Sequence, residues 1–397
     1  MRQRAVGLAG LLLVTVALAL VISVAQLPLL GRDFYIYWSA ARAVQTGHSP
    51  YDLVFLQATQ QAVGWNVARE PIPFQPYLYP PWLALLLWPL GWLPFRLASL
   101  LWLAAGGVTA AATVIVAMKA TGRRVRGLAL LGGLLLGLTY LPVLHMLAVG
   151  QVTVWLGLLI ALMAWALSGK RDTLAALCVG LLSIKPQIGL IVAALVGLGW
   201  LTQRHWRPLI WLTGTWLACA LLGFSVAPNW PGEMLTVPQQ FEALTNNPAL
   251  ANRADGPTLL AALSVNIPSS QGLRVLVGLG LGVLAIWLVY RGRQIVRSKS
   301  KPTVMWLSAL GCTTVFLVTP YVRVYDLSVL IWPLMYLLYS PQIRWARWLR
   351  AAGAVVIYSW PLVLVVLGAD GVWNVLAVLA LDLMLILAEA LPVEYSA

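Results

Sequence analysis

Residues 5–30, AVGLAGLLLVTVALALVISVAQLPLL, carry no charged side chain, and apolar runs of this kind recur to the end of the chain. About 20 such residues coiled as a helix cross the hydrocarbon core of a bilayer, where only structures that satisfy every backbone polar group internally are stable. A chain built from many of these runs has few folds open to it. Of its residues 61% are hydrophobic and 10% charged, whereas about a quarter are charged in a soluble domain. The sequence therefore predicts an all-α polytopic membrane protein without a sizeable soluble domain.

The net charge of +14 would suggest a nucleic-acid partner if it formed a patch on a soluble fold. Here it follows the topology instead. With Arg2 and Arg4 cytoplasmic, alternate loops carry Lys119, Arg123, Arg124 and Arg126; Lys170 and Arg171; and Arg204 and Arg207. Further along come Arg291, Arg293, Arg297, Lys299 and Lys301, then Arg344, Arg347 and Arg350. This is the pattern of the positive-inside rule, so no nucleic acid is expected. About twelve spans follow, near 5–30, 96–118, 127–149, 151–169, 172–185, 187–203, 208–226, 272–290, 303–319, 327–343, 351–368 and 373–391. Both termini are then cytoplasmic. The first run has some features of a signal peptide, but its length favours a retained helix.

Residues 79–94, YPPWLALLLWPLGWLP, are short for a span, bounded by prolines and rich in Trp, the signature of an interfacial helix. The parity of the basic loops agrees, so 31–95 becomes a large first outer loop. A second, 227–271, is rich in Pro and Asn and predicts irregular structure with short helices. The whole chain, 1–397, forms one membrane domain to which both loops add site residues.

Acids are scarce, 12 in all, and Asp33 stands where the first span ends and the aromatic segment Phe34, Tyr35, Tyr37 and Trp38 begins. Partial desolvation there would raise its pKa toward that of a useful general base. A helix N-cap is the alternative for the same residue. Gln151, Lys185, Gln187, Tyr321, Arg323, Tyr325 and Asp326 are predicted on the same outer surface, with Arg32, Tyr37 and Tyr79 lining it. A lysine at an outer hairpin is costly at that depth unless it snorkels or serves a function. Arg323 and Asp326, three apart, are spaced to pair with each other, which would leave Lys185 the freer cation. A carboxylate, two cations and several aromatics on one face suit a phosphate-bearing lipid and a hydroxyl acceptor.

No Walker A loop or CxxC occurs, and the glycines of GLGLG (278–282) sit in mid-span as helix-contact residues. Cys178, Cys219 and Cys312 fall in predicted spans and imply no disulfide framework. His48, His145 and His205 are too scattered for a metal cluster, so neither metal nor cofactor is expected. Beyond the cytoplasmic membrane nucleotide-activated donors are lacking, and a lipid-linked donor needs no nucleotide motif.

Five segments in order resemble glycosyltransferase family 87, membrane enzymes of the GT-C fold that include bacterial polyprenol-phosphate-mannose-dependent α-mannosyltransferases. They are RDFYIYWSAARAVQTGHSPYD (32–52), YLYPPWLALLLWPLGWLP (77–94), GQVTVWLGLLIAL (150–162), LLSIKPQIGLIVAAL (181–195) and TPYVRVYDLSVLIWPL (319–334). The resemblance implies a GT-C-like fold and an inverting, metal-independent hexosyltransferase of the plasma membrane. Its donor would be a polyprenyl-phosphate sugar, with mannose as the expected hexose, and its acceptor a glycolipid or glycan, with Asp33 as general base. Lys185 and Arg323 would meet the donor phosphate. Many family mannosyltransferases carry a histidine in the last segment, where this chain has Tyr325 and Asp326. The rival function is a flippase or transporter of a lipid-linked sugar, which would need polar residues threaded through the spans.

Overall fold

The computed structural model describes residues 31–65, 72–121, 126–245, 301–319, 322–340, 347–368 and 371–390, with single positions between 283 and 297. The expected span 5–30, most of 272–290, loop residues 246–271 and the candidate Tyr321 lie outside the described residues.

Among the described residues the chain is wholly helical. The first loop holds α1 (Phe34–Gln45), α2 (Leu53–Ala62), α3 (Pro81–Leu86) and α4 (Trp88–Gly91). Then follow α5 (Phe95–Ala120), α6 (Leu128–Leu138), α7 (Leu141–Val149), α8 (Thr153–Ser168), α9 (Asp172–Leu181), α10 (Pro186–Thr202) and α11 (Trp206–Val226). The remainder are α12 (Trp230–Thr245), α13 (Lys301–Val318), α14 (Ile331–Tyr339), α15 (Arg347–Val366) and α16 (Val375–Ala390). Short 3-10 turns occupy Leu182–Ile184, Val324–Leu330 and Gly371–Asn374.

Two of these helices, α5 and α11, are each long and apolar enough to cross a membrane, and α6 with α7 makes a third candidate bent by 61°. The bend has a local cause, because Pro142 sits in the first turn of α7 and cannot continue the hydrogen-bond ladder of α6. Shorter apolar helical segments of 10–17 residues are Thr153–Ser168, Asp172–Ile184, Pro186–Thr202, Val304–Phe316, Val324–Tyr339, Arg350–Val366 and Val375–Ile386.

Helix α8 occupies the centre, packed against α5, α9, α13 and the Val324–Leu330 turn. It is apolar on every side, and Leu156, Ile160, Ala161 and Ala164 are buried, as a helix surrounded by other helices must be. Helix α11, also apolar, exposes Ile210, Trp211, Leu217 and Leu221, which is stable only where the surrounding medium is itself apolar.

Two loop expectations change. Residues 79–94 form two short helices rather than one, because Pro89 falls in the first turn of α4 and ends α3 before it. The described part of the second loop, 227–245, is more regular than its Pro and Asn content suggests: α12 runs unbroken through Pro238. It is anchored on the first loop, where the Ser49 hydroxyl donates to Glu233 at 2.6 Å and Phe241 packs edge-on to Phe74. Tertiary contacts thus outweigh the local penalty of an internal proline. The cysteines Cys178, Cys219 and Cys312 are free and buried.

Candidate functional site

Asp33 immediately precedes α1, the position of an N-cap, yet its side chain makes no capping bond. Asp52 shows what a capping aspartate does here: it accepts the Phe55 N–H at 3.0 Å. The Asp33 carboxylate instead accepts a hydrogen bond from Gln151 Nε2 at 2.7 Å, across 118 residues of sequence. Of the two roles left open by the sequence, the capping bond is not made.

Backbone bonds set this meeting. Gly31 N–H donates to Ala148 O at 2.7 Å and Asp33 N–H to Val149 O at 2.8 Å, so the start of α1 docks on the last turn of α7. There Gly150 adopts φ +75°, a left-handed conformation that ends the helix and that side chains rarely tolerate. Trp102 Nε1 holds the Gly150 carbonyl at 2.7 Å. Gln151, emerging from this turn, is 3% exposed.

Its amide is saturated. Oε1 lies 2.7 Å from the Tyr37 hydroxyl, 3.3 Å from that of Tyr79 and 3.1 Å from the Val152 N–H, and Nε2 also reaches the Tyr325 hydroxyl at 3.1 Å. Tyr37 and Tyr79 are themselves 3.0 Å apart. Burial raises both phenol pKa values well above the ordinary one, with the Asp33 charge adding to the shift, so they remain protonated donors. Asp33 itself is half-buried. Burial pushes its pKa up, and the Gln151 bond with the charges of Arg32, Lys185 and Arg323 offsets part of the rise.

A second polar group adjoins the first. Lys185 is held in extended backbone between the Leu182–Ile184 turn and Pro186. The chain doubles back so tightly that a Cβ on Gly189 would lie 2.3 Å from the Leu182 carbonyl oxygen. Lys185 Nζ is 2.5 Å from Asp326 Oδ1 and 5.0 Å from the centre of the Tyr325 ring. Thr153 donates to the same Oδ1 at 2.6 Å, and the Arg323 backbone N–H donates to Oδ2 at 2.9 Å.

Lys185 is thus not the unpaired cation that spacing suggested. Asp326 forms an ion pair with it, and Lys185 is 3% exposed where Arg323 is half-buried. Sequence spacing cannot see a partner that arrives from another helix. Asp326, 1% exposed, has both oxygens engaged.

Of the remaining candidates, Arg32 is half-buried beside Asp33, whereas Gln187 is half-buried on the first turn of α10 outside this network. Thr153 and His145 were missed. Thr153 lies two residues past Gln151, and a hydroxyl there looked like ordinary helix. His145 stands with its ring 5.9 Å from that of Tyr325; as a lone polar residue in an apolar run, it had been weighed only as a metal ligand. Among the described residues no three His, Cys, Asp or Glu side chains are grouped to hold a metal ion.

A family model, Glycosyltransferase family 87, matches residues 77–320. The chain belongs to glycosyltransferase family 87. Membership makes it a membrane glycosyltransferase, with a sugar donor and an acceptor as substrates. The GT87 match contains Tyr79, Gln151 and Lys185 but ends short of Asp33 on one side and Asp326 on the other. The Gln151–Asp33 and Lys185–Asp326 bonds join those flanking residues to the matched region. No curated protein matches the chain.

Proposed function

We propose that this GT87 enzyme transfers a hexose, mannose by preference, from a polyprenyl phosphate to a hydroxyl of a glycolipid or glycan, with inversion, on the outer face of the plasma membrane. The supporting observation is the Asp33 carboxylate: half-buried, not spent on capping its helix, and held by Gln151 within the field of Arg32, Lys185 and Arg323. In the transfer step Asp33 takes the proton of the acceptor hydroxyl as that oxygen bonds to the sugar's anomeric carbon. The bond from that carbon to the phosphate oxygen breaks, and polyprenyl phosphate leaves with the electron pair. Negative charge grows on the departing phosphate, so cations aimed at it lower the barrier more than they strengthen ground-state binding.

Arg323 is the leading phosphate ligand in this scheme, since a guanidinium can grip two phosphate oxygens and it is the more accessible of the pair. Lys185 has three ammonium hydrogens, and the one given to Asp326 leaves two for the donor. Asp326 is too fully engaged to serve as the base. Tyr37, Tyr79 and Tyr325 line the substrate region, and no metal or other cofactor takes part.

The architecture that goes with this function is one GT-C-like domain of about twelve spans, its site on the outer side beneath loops 31–95 and 227–271. Transport of a lipid-linked sugar would need a polar path through the helices. Away from the site, the acid Asp382 is instead closed by hydroxyls of Thr313 and Thr314.

The test is transfer of labelled mannose from synthetic polyprenyl-phosphate mannose, by purified enzyme, to lipids extracted from a deletion strain. Inverted glycolipid product is expected. Failure to use any polyprenyl-phosphate hexose, with lipid-linked sugar crossing vesicles instead, overturns the proposal.

A further inference from the structure

We infer that Gln151 is a positioning residue for the base: its amide fixes the rotamer of Asp33 by engaging Oδ2, which assigns the acceptor's proton to Oδ1. The inference deepens the proposed transfer chemistry and rests on Asp33 being the base.

The direction of the amide is dictated by its surroundings. A glutamine can present either its oxygen or its nitrogen to a neighbour, and the choice is decided by groups that have only one role. The Val152 N–H can only donate, and it lies 3.1 Å from Oε1. The ionised Asp33 carboxylate can only accept, and its Oδ2 lies 2.7 Å from Nε2, while the Tyr37 hydroxyl, kept protonated by burial, donates to Oε1 at 2.7 Å. With its oxygen claimed from two sides, the amide must turn its N–H toward Asp33 and Tyr325. The whole group is 3% exposed, so water does not compete for it.

A carboxylate on two rotatable bonds and half open to solvent would otherwise sample several orientations. One short bond from a saturated, immobile amide removes that freedom on the side away from the acceptor. It also stabilises the charged form against the cost of burial. General-base catalysis depends on placing the accepting oxygen within hydrogen-bond reach of the proton, and misplacement costs rate more than binding.

The experiment compares Gln151→Glu, Tyr37→Phe and Asp33→Asn in the transfer assay above, recording kcat, donor KM and the acid limb of the pH profile, with thermal unfolding as a check on folding. Gln151→Glu replaces the donor N–H by a second carboxylate. It is expected to lower kcat by at least about tenfold with donor KM within about twofold, and to move the acid limb to higher pH by about one unit. Tyr37→Phe, which keeps the ring and removes one hydroxyl that fixes the amide, should lower kcat several-fold in the same sense; it decides the question if Gln151→Glu does not fold. Normal kcat and an unmoved acid limb in these variants, with Asp33→Asn inactive, overturn the positioning role and leave the base intact. A loss of activity that tracks loss of folded protein, with the acid limb unmoved, overturns it as well. Full activity in Asp33→Asn removes the base and the inference with it.

Discussion

Asp382 lies between α13 and α16, with Thr314 Oγ1 3.0 Å from its Oδ1 and Thr313 beside it. Asp33 and Asp326 lie at the junction of α1, α7, α8 and the Val324–Leu330 turn. All three carboxylates are set among apolar helices, but the first is bonded by two hydroxyls of a single neighbouring helix, and the others gather an amide, an ammonium, a hydroxyl and a backbone N–H from several elements. Burying an acid between two helices fastens those helices. Bringing acids, cations and phenols from distant parts of the chain to one point costs far more desolvation, a cost that the proposed transfer site would account for.

Substitution of the base gives the largest expected separation between the two regions. Asp33→Asn should lower transfer by roughly 10²–10⁴, the usual contribution of a general base. Asp382→Asn should leave kcat unchanged, because an amide oxygen still accepts from both threonines. The two are to be assayed side by side, and equal losses would erase the distinction.

The Lys185–Asp326 pair divides the junction into scaffold and chemistry. Removing either partner strands a buried charge and should cost roughly 3–5 kcal/mol of stability, read as a lowered Tm in detergent for Lys185→Met or Asp326→Leu. The double substitution should recover most of that stability and none of the activity. Recovery of both would show that Lys185 serves only the fold.

The pH dependence sharpens the contrast further. The Asp33 pKa is raised by burial, so the base is lost, and transfer with it, as pH falls through a value above the ordinary carboxylate range. The sign for stability is opposite. A folded pKa above the unfolded one means that the charged form opposes folding at neutral pH, and that stability is regained as pH falls through the folded pKa. Asp33→Asn should accordingly be no less stable than the parent at neutral pH, measured by thermal unfolding.

The smallest effect is expected far from the junction. Glu233→Gln should leave Tm nearly unchanged and alter acceptor KM by at most a few-fold, since Ser49 can still donate to the amide oxygen and Phe241 still packs on Phe74.

The apolar runs, the prolines that break them and the turn at Lys185–Pro186 were legible in the sequence, because helix in an apolar medium is a local matter of composition and length. Residue types at the site were legible for a related reason: a charge at the end of an apolar run stands out. Partners were not. The sequence placed Asp326 with Arg323 three residues away, left Asp33 between cap and base, and passed over Thr153 and His145. Only the packing of α8 against the Val324–Leu330 turn and of α1 against the end of α7 decided that Lys185 meets Asp326 and that Gln151 meets Asp33. Hydrogen bonds act over about 3 Å, and which side chains come that close across 118 or 141 residues is settled by tertiary packing, to which spacing along the chain gives no access.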